Sequence, residues 1–194
     1  MNKVVHFRHD TFSFASLLFD LLLTKLFYHK SRLIRFPFYC RGSNLIDLGS
    51  NLTTGRSCRF DAWTIEGDTI AAAEYKIVFG DYIHIGDRVH FASARKIIIG
   101  SHTLIASNVF ISDHDHGTTD FQSMSLVPTY RDLNCAIVRI GESCWIGQNV
   151  CILKGVELGN NCVVAAGSIV TRSFPSFSVL GGVPAKLLKP TKMS

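Results

Sequence analysis

The run IGESCWIGQNVCILKGVELGNNCVVAAGSIV, Ile140–Val170, decides the fold. A bulky apolar residue returns in it at every sixth position: Ile140, Ile146, Ile152, Leu158, Val164 and Val170. The same step runs upstream through Phe79, Ile85 and Phe91 and, after an eight-residue step, through Ile99, Ile105 and Ile111. The residue after each of these twelve positions is small or short in every case but Leu153. A further inward position follows three residues later, as at Ile83, Val89, Thr103, Val109, Cys144, Val150, Val156, Cys162 and Ser168.

A period of six fits neither the 3.6 of an α-helix nor the simple alternation of a long strand. It fits a short strand and a tight turn, repeated, and three such units close a triangular coil whose apolar residues point inward and stack on their counterparts one coil along. The small neighbour is expected to allow the close, often φ > 0, backbone of each corner. Cys144 and Cys162, 18 residues apart, should stack in successive coils. Adjacent coils lie about 4.7 to 4.9 Å apart, within reach of a disulfide, although buried thiols packing as small hydrophobes are the favoured reading.

Before Phe79 the pattern loosens. Leu48-Gly49, Thr54-Gly55 and Phe60-Asp61 keep the step and suggest an early coil from near Leu45, continued out of register by residues 66–76. Asp10 to Tyr28 reads as an amphipathic helix capping the solenoid, because an open end exposes unpaired backbone groups and core. Lys25, Lys30, Arg32 and Arg35, with Phe27, Phe36 and Phe38, also permit peripheral membrane contact through that helix. The organisation expected is an all-β solenoid: a helical cap region over 1–44, a β-helix over 45–178 with a loop at 113–136, and a tail over 179–194.

With 194 residues, 47% hydrophobic and 18% charged, the chain is expected to fold around one continuous core. The net charge of +5 suits an anionic cofactor, a membrane surface or nucleic acid about equally. No basic stripe or known motif supports nucleic acid, which is not expected as a partner. The six cysteines form no CxxC pair, so no metal is expected, and they read as reduced and cytoplasmic. The apolar stretch Ala15 to Tyr28 is broken by Asp20 and Lys25 and falls short of the roughly 20 residues that cross a bilayer. No small-residue cleavage site follows it, so a secretory signal is not expected.

Between Ile111 and Ile140 the step is 29 residues, not a multiple of six, so something leaves the coil there. The departing segment, DHDHGTTDFQSMSLVPTYRDLNCA from Asp113 to Ala136, is polar and too long for a corner, and excursions of this kind are usually functional. It opens with His114 and His116 among two aspartates. A neutral imidazole is the commonest general base for a hydroxyl, and either histidine could serve, with Asp113 or Asp115 orienting it or capping the turn.

The hexapeptides, NVFISDHDHG (Asn108–Gly117), CWIG (Cys144–Gly147), AAGSIVTRSFP (Ala165–Pro175) and GGVPAKLLK (Gly181–Lys189) together resemble the hexapeptide-repeat acyltransferases. The likeness is to maltose and galactoside acetyltransferases and to O-acetyltransferases of bacterial surface polysaccharides, and it covers about Leu45 to Lys189. It implies a left-handed parallel β-helix, a homotrimer with active sites between subunits, and direct acetyl transfer from acetyl-CoA to a sugar hydroxyl. Counted from the shared Asn-Val, the family's loop histidine falls on His116, with His114 as the alternative. Similarity places Trp145 in the active-site cleft, Gln148, Ala166, Thr171 and Arg172 along the CoA groove, and Lys186 and Lys189 toward the nucleotide phosphates.

His90 and Ser93 stand where related sugar acetyltransferases contact their acceptor, with Asp113 as a further candidate contact. The family's acidic acceptor contact meets Ala94 or Arg95 here, which points to a larger or carrier-linked glycan of the O-antigen, capsule or exopolysaccharide kind. Alternatives on the same fold are a sugar-nucleotide N-acetyltransferase, a drug-modifying acetyltransferase, a zinc-holding carbonic-anhydrase-like solenoid and a purely binding solenoid.

Overall fold

The computed structural model describes residues 11–65 and 74–190, the last two by their backbone alone. The chain winds through three parallel sheets in rotation. One sheet stacks Phe38–Arg41, Cys58–Ala62, His90–Ser93, Phe110–Ser112, Cys151–Ile152 and Ile169–Val170. A second stacks Thr53–Thr54, His84–Ile85, Leu104–Ile105, Trp145–Ile146, Val163–Val164 and Ser178–Gly181. The third holds Ile46–Asp47, Ile77–Phe79, Ile97–Ile99, Val138–Ile140 and Glu157–Leu158. This is the left-handed parallel β-helix that the family resemblance implies.

The register shows why six residues suffice. Ile105 lies beside Ile146, Ile146 beside Val164 and Val164 beside Leu180, all of them buried. Each small residue donates its backbone N–H to the coil above: Gly86 to Ile105 O, Ala106 to Ile146 O, Gly147 to Val164 O. Inward apolar rows and an unbroken hydrogen-bond ladder thus arise from one repeat. Near the N-terminal end Phe60, Phe79 and Phe91 fill the core with ring centroids 5.0 to 5.2 Å apart.

The corners differ from the sequence expectation. The residue after each ladder position is small because the neighbouring coil passes too close for a side chain: a Cβ on Gly86 would lie 2.6 Å from Ser107 N, and one on Gly141 2.7 Å from Asn160 N. The left-handed backbone falls two residues further on, at Arg88 (φ 53°), Ser143 (φ 56°), Asn149 (φ 59°) and Asn161 (φ 58°). Close approach and corner geometry are therefore met at separate positions. Gly141→Val is expected to destabilise the fold by about 1 to 3 kcal/mol through overpacking, read as a lower urea midpoint; an unchanged midpoint would show that the coils can spread.

All six cysteines are free thiols. Cys144 and Cys162 meet in successive coils, and hydrogen bonding with Cys162, aided by burial, pushes the Cys144 thiol well above its ordinary range.

Both ends are closed. At the N-terminal end stacking starts earlier than near Leu45: Leu33 bridges Thr53, and Phe38–Arg41 pairs with Cys58–Ala62. That first coil contains Pro37, and its six-residue step from Ile34 to Cys40 is cut off by the eight residues from Cys40 to Leu48, so the recurrence followed upstream from Phe60 misses it. The continuation expected over 66–76 lies mostly outside the described residues, which resume at Glu74. Helix α1, Thr11–Phe27, packs on this end through its polar side. Asp20 and Thr24 are its buried residues. Asp20 accepts from Phe36 N (3.1 Å) and Arg56 Nη2 (2.7 Å), and Thr24 Oγ1 accepts from Ile34 N (2.9 Å). An open solenoid end presents backbone donors, and polar side chains satisfy them where leucines would not. At the other end Ser178–Gly181 turns back on Lys186–Pro190 as an antiparallel hairpin, so the tail is part of the last rung.

Candidate active site

The chain leaves the coil after Ser112 and returns at Val138. The neck is a two-stranded antiparallel ribbon in which His114 faces Cys135 and His116 faces Leu133, with Ala136 N donating to Asp113 O at 2.8 Å. Strand alternation places both imidazoles on one face, 6.3 Å apart between ring centroids. Asp115, on the opposite face, is held by Lys154 Nζ at 2.9 Å.

Asp113 anchors this neck. It is fully buried and accepts from Ser93 Oγ (2.6 Å), Ala94 N (2.9 Å) and Arg95 N (2.8 Å), and its Oδ1 meets His114 Nδ1 at 3.0 Å. Burial by itself would raise the Asp113 carboxyl, but the hydrogen bonds from His114, Ser93 and the two backbone N–H groups outweigh it and hold the group below the ordinary carboxylate value. An ionised carboxylate only accepts, so Nδ1 of His114 carries its proton and the ring orientation is fixed. The His114 ring also meets Trp63 edge-on at 5.0 Å. Its side chain is 10% exposed. His116, two residues out, is exposed and makes no hydrogen bond from its ring among the described residues.

Two of the expected acceptor contacts are corrected here. Ser93 is 0% exposed and spends its hydroxyl on Asp113, and Asp113 is itself sealed in, so neither can touch an acceptor. Both position the neck. The eight-residue step between Phe91 and Ile99 exists because the corner at Ala94 and Arg95 turns its N–H groups onto that carboxylate.

His90 stays available, one third exposed, with Nε2 3.2 Å from Asp61 Oδ2. Asp61 also takes Arg59 Nε at 2.6 Å and Arg41 Nε at 3.4 Å, so a buried carboxylate gathers three basic groups beside an open groove of about 570 Å³. Sequence reasoning missed Asp61 and Trp63. The signal for the first was present: Asp61 occupies a small-residue position that Gly, Ala or Ser fills in most other coils.

A second groove, of about 530 Å³, runs along the sheet that carries Trp145. Trp145, Gln148 and Ala166 line it together, with Ala106, Gly147 and Ala165 as a small-residue floor. Trp145 stands 54% exposed at its side. A narrow apolar trough with one amide-bearing side chain fits a long, thin, amide-containing arm. Thr171 and Arg172 are exposed after the strand Ile169–Val170, outside the trough's lining, and the Arg172 guanidinium lies 5.1 Å above the Phe174 ring. Lys186 is exposed on the closing hairpin, while the Lys189 side chain lies outside the described residues. Among the described residues no three His, Cys, Asp or Glu side chains converge as a metal site.

Comparison with known proteins agrees with this architecture. A family model described as the hexapeptide repeat of succinyl-transferase matches residues 137–172, around the run that decided the fold. WbbJ of Escherichia coli (strain K12), whose name assigns it to lipopolysaccharide biosynthesis as an O-acetyl transferase, is 40% identical, covering 94% of this chain and 90% of its own. The galactoside O-acetyltransferase of the same strain is 32% identical over 57% of this chain and 55% of its own. Among solved structures, a hexapeptide-repeat acetyltransferase from Vibrio cholerae aligns with a TM-score of 0.61 at 27% identity, covering 75% of this chain and 74% of that one. With sequence period, coil geometry and a near full-length relative in agreement, the chain belongs to the hexapeptide-repeat acyltransferases.

Proposed function

We propose that the protein transfers an acetyl group from acetyl-CoA to a hydroxyl of a sugar during surface-polysaccharide synthesis, with His116 as general base. The observation that carries the reading is the neck itself: an accessible imidazole on the same ribbon face as a rigid, buried Asp113–His114 pair. His116 removes the hydroxyl proton as the sugar oxygen bonds to the thioester carbonyl carbon; the C–S bond then breaks, and the proton passes to the departing CoA sulfur. The trough at Trp145, Gln148 and Ala166 accepts the pantetheine arm, while Thr171, Arg172, Lys186 and Lys189 extend toward the nucleotide phosphates, which cationic groups favour. Relatives named for lipopolysaccharide and colanic acid synthesis support a glycan acceptor. A Vibrio cholerae structure described as complexed with acetyl-CoA, 25% identical with a TM-score of 0.55, supports the donor.

A second reading has its own observation. Asp113 holds Nδ1 of His114 at 3.0 Å, which leaves Nε2 as that ring's acceptor nitrogen, the arrangement of a base with its orienting carboxylate. Burial of the ring counts against it, because a glycan hydroxyl must reach the base.

Three subunits about a common axis complete the site, the trough of one facing the histidine ribbon of its neighbour. The enzyme works in the cytoplasm, where six free thiols are stable. Among the described residues no helix is long and apolar enough to cross a membrane.

Incubation with acetyl-CoA and a panel of sugars, nucleotide sugars and glycan fragments tests the reading by free thiol and product mass. An alkali-labile acetyl ester is expected. An alkali-stable amide on an amino sugar would replace O-acetylation with N-acetylation, and absence of any transfer would sink both. Trp145→Ala is expected to raise KM for acetyl-CoA about tenfold, a loss near 1.4 kcal/mol, with a smaller change in kcat; an unchanged KM would remove Trp145 from the donor site.

A further inference from the structure

Four polar residues of α1, Ser13, Ser16, Asp20 and Thr24, recur at three- and four-residue steps and so share one helix face. That face meets the solenoid: Asp20 and Thr24 are buried in it, and Arg56 of the first full coil reaches both Ser16 Oγ and Asp20 Oδ2 at 2.7 Å. The apolar residues are turned outward. Phe12 is 85% exposed, Leu22 66%, Leu26 67% and Phe27 65%, with Leu18 and Phe19 above half. A soluble helix ordinarily does the reverse, and a contiguous apolar face of this kind marks an interaction surface.

Charge identifies the partner. Residues 1–46 contain Lys3, Arg8, Lys25, Lys30, Arg32, Arg35 and Arg41 but only Asp10 and Asp20 as acids, so the whole net charge of +5 resides in this end and the remainder of the chain is neutral. Asp20 is spent on Arg56. Lys25, Lys30 and Arg32 are exposed beside the apolar face. A second copy docked on this face would bring two such basic segments together, at a cost, whereas an anionic lipid surface supplies both the complementary charge and the apolar phase. The helix has 17 residues and a polar side engaged with protein, so it lies in the interface and does not span it.

We propose that α1 is a membrane-docking helix that seats the protein on anionic lipid bilayers through its outward apolar face, while its polar face closes the β-helix. Ser, Asp and Thr satisfy the solenoid's end groups, which frees every leucine and phenylalanine of the outer face for lipid.

The test is sedimentation of the full chain with vesicles of phosphatidylglycerol and phosphatidylcholine, against vesicles of phosphatidylcholine alone, without acetyl-CoA or acceptor. Binding to the anionic vesicles is expected to exceed binding to the neutral ones by about tenfold or more. A Leu18→Ser, Leu22→Ser, Leu26→Ser variant is expected to lose that binding about tenfold or more, while its melting temperature and acetyl transfer to a soluble acceptor stay unchanged, because the three side chains already face solvent. Parent protein that stays in the supernatant with both vesicles would overturn the proposal, as would a variant that binds like the parent. A drop in particle mass by light scattering in the variant, without vesicle binding by the parent, would assign the face to a second copy. Acetyl transfer is measured separately, so failure of docking leaves the enzymatic reading standing.

Discussion

His116→Ala is expected to lower kcat for acetyl transfer by about 10²- to 10⁴-fold, the usual worth of a positioned general base, with CoA affinity unchanged. The reasoning starts from the acceptor. A sugar hydroxyl is a weak nucleophile near neutral pH and must lose its proton as its oxygen reaches the carbonyl carbon. The ribbon 114–116 offers two imidazoles on one face, and only His116 is exposed enough to meet a bulky alcohol. Removing it leaves the Asp113 network untouched, because none of that carboxylate's four partners is His116. The variant should therefore melt like the parent. Full activity in His116→Ala together with a comparable loss in His114→Ala would transfer the role to His114. A solvent-accessible base should also be partly replaced by added imidazole, so rescue of His116→Ala but not of His114→Ala would separate a reacting group from a positioning one.

Asp113→Ala is expected to cost about 3 to 5 kcal/mol of stability, the range for removing one partner of a buried charged network, and most of the activity. Two backbone donors, Ala94 N and Arg95 N, would lose their acceptor inside the protein, Ser93 Oγ would keep only Lys76 O at 2.8 Å, and the His114 ring would lose the contact that sets its orientation. The pH dependence has a definite sign. The folded carboxyl titrates below the ordinary aspartate value of 3.8, so its stabilisation is complete above that value and is lost as the pH falls from there through the folded value. Urea melts across the acid range should show this loss in the parent and a flatter profile in the variant. A variant with the parent's midpoint at neutral pH would mean that the neck does not depend on the carboxylate.

The solenoid was legible because its signal is one-dimensional. A six-residue recurrence from Phe79 to Val170, lengthened to eight between Phe91 and Ile99 and broken between Ile111 and Ile140, specifies coils and where they are interrupted without reference to any distant contact. The trough proposed for the donor was legible through the family resemblance, which names Trp145, Gln148 and Ala166; the stacked coils bring these three to one groove. Thr171, Arg172 and Lys186 lie outside that trough's lining: the first two follow Ile169–Val170 on a different sheet, and Lys186 stands on the closing hairpin.

The surroundings of the histidine ribbon were less legible because their parts are joined across coils. Ser93 reads in sequence as a polar residue open to an acceptor, and only the fold reveals that Asp113, 20 residues later, arrives beneath it and takes its hydroxyl. Asp61 gathers His90 and Arg59 from its own and the next coil, and Trp63 meets His114 from two coils away; no local pattern foretells such meetings. The cap shows the same division. A helix over Thr11–Phe27 could be read from its residues, but which face turns inward could not, because that depends on whether the surface it covers is apolar core or unpaired backbone. By itself the sequence determined the β-helix, its period and its excursion between Ile111 and Ile140, since these follow from the local alternation of bulk and smallness along the chain. Tertiary structure alone decided which polar groups are spent on one another and which remain free to act, because that allocation is made by burial and hydrogen bonding between residues the sequence keeps far apart.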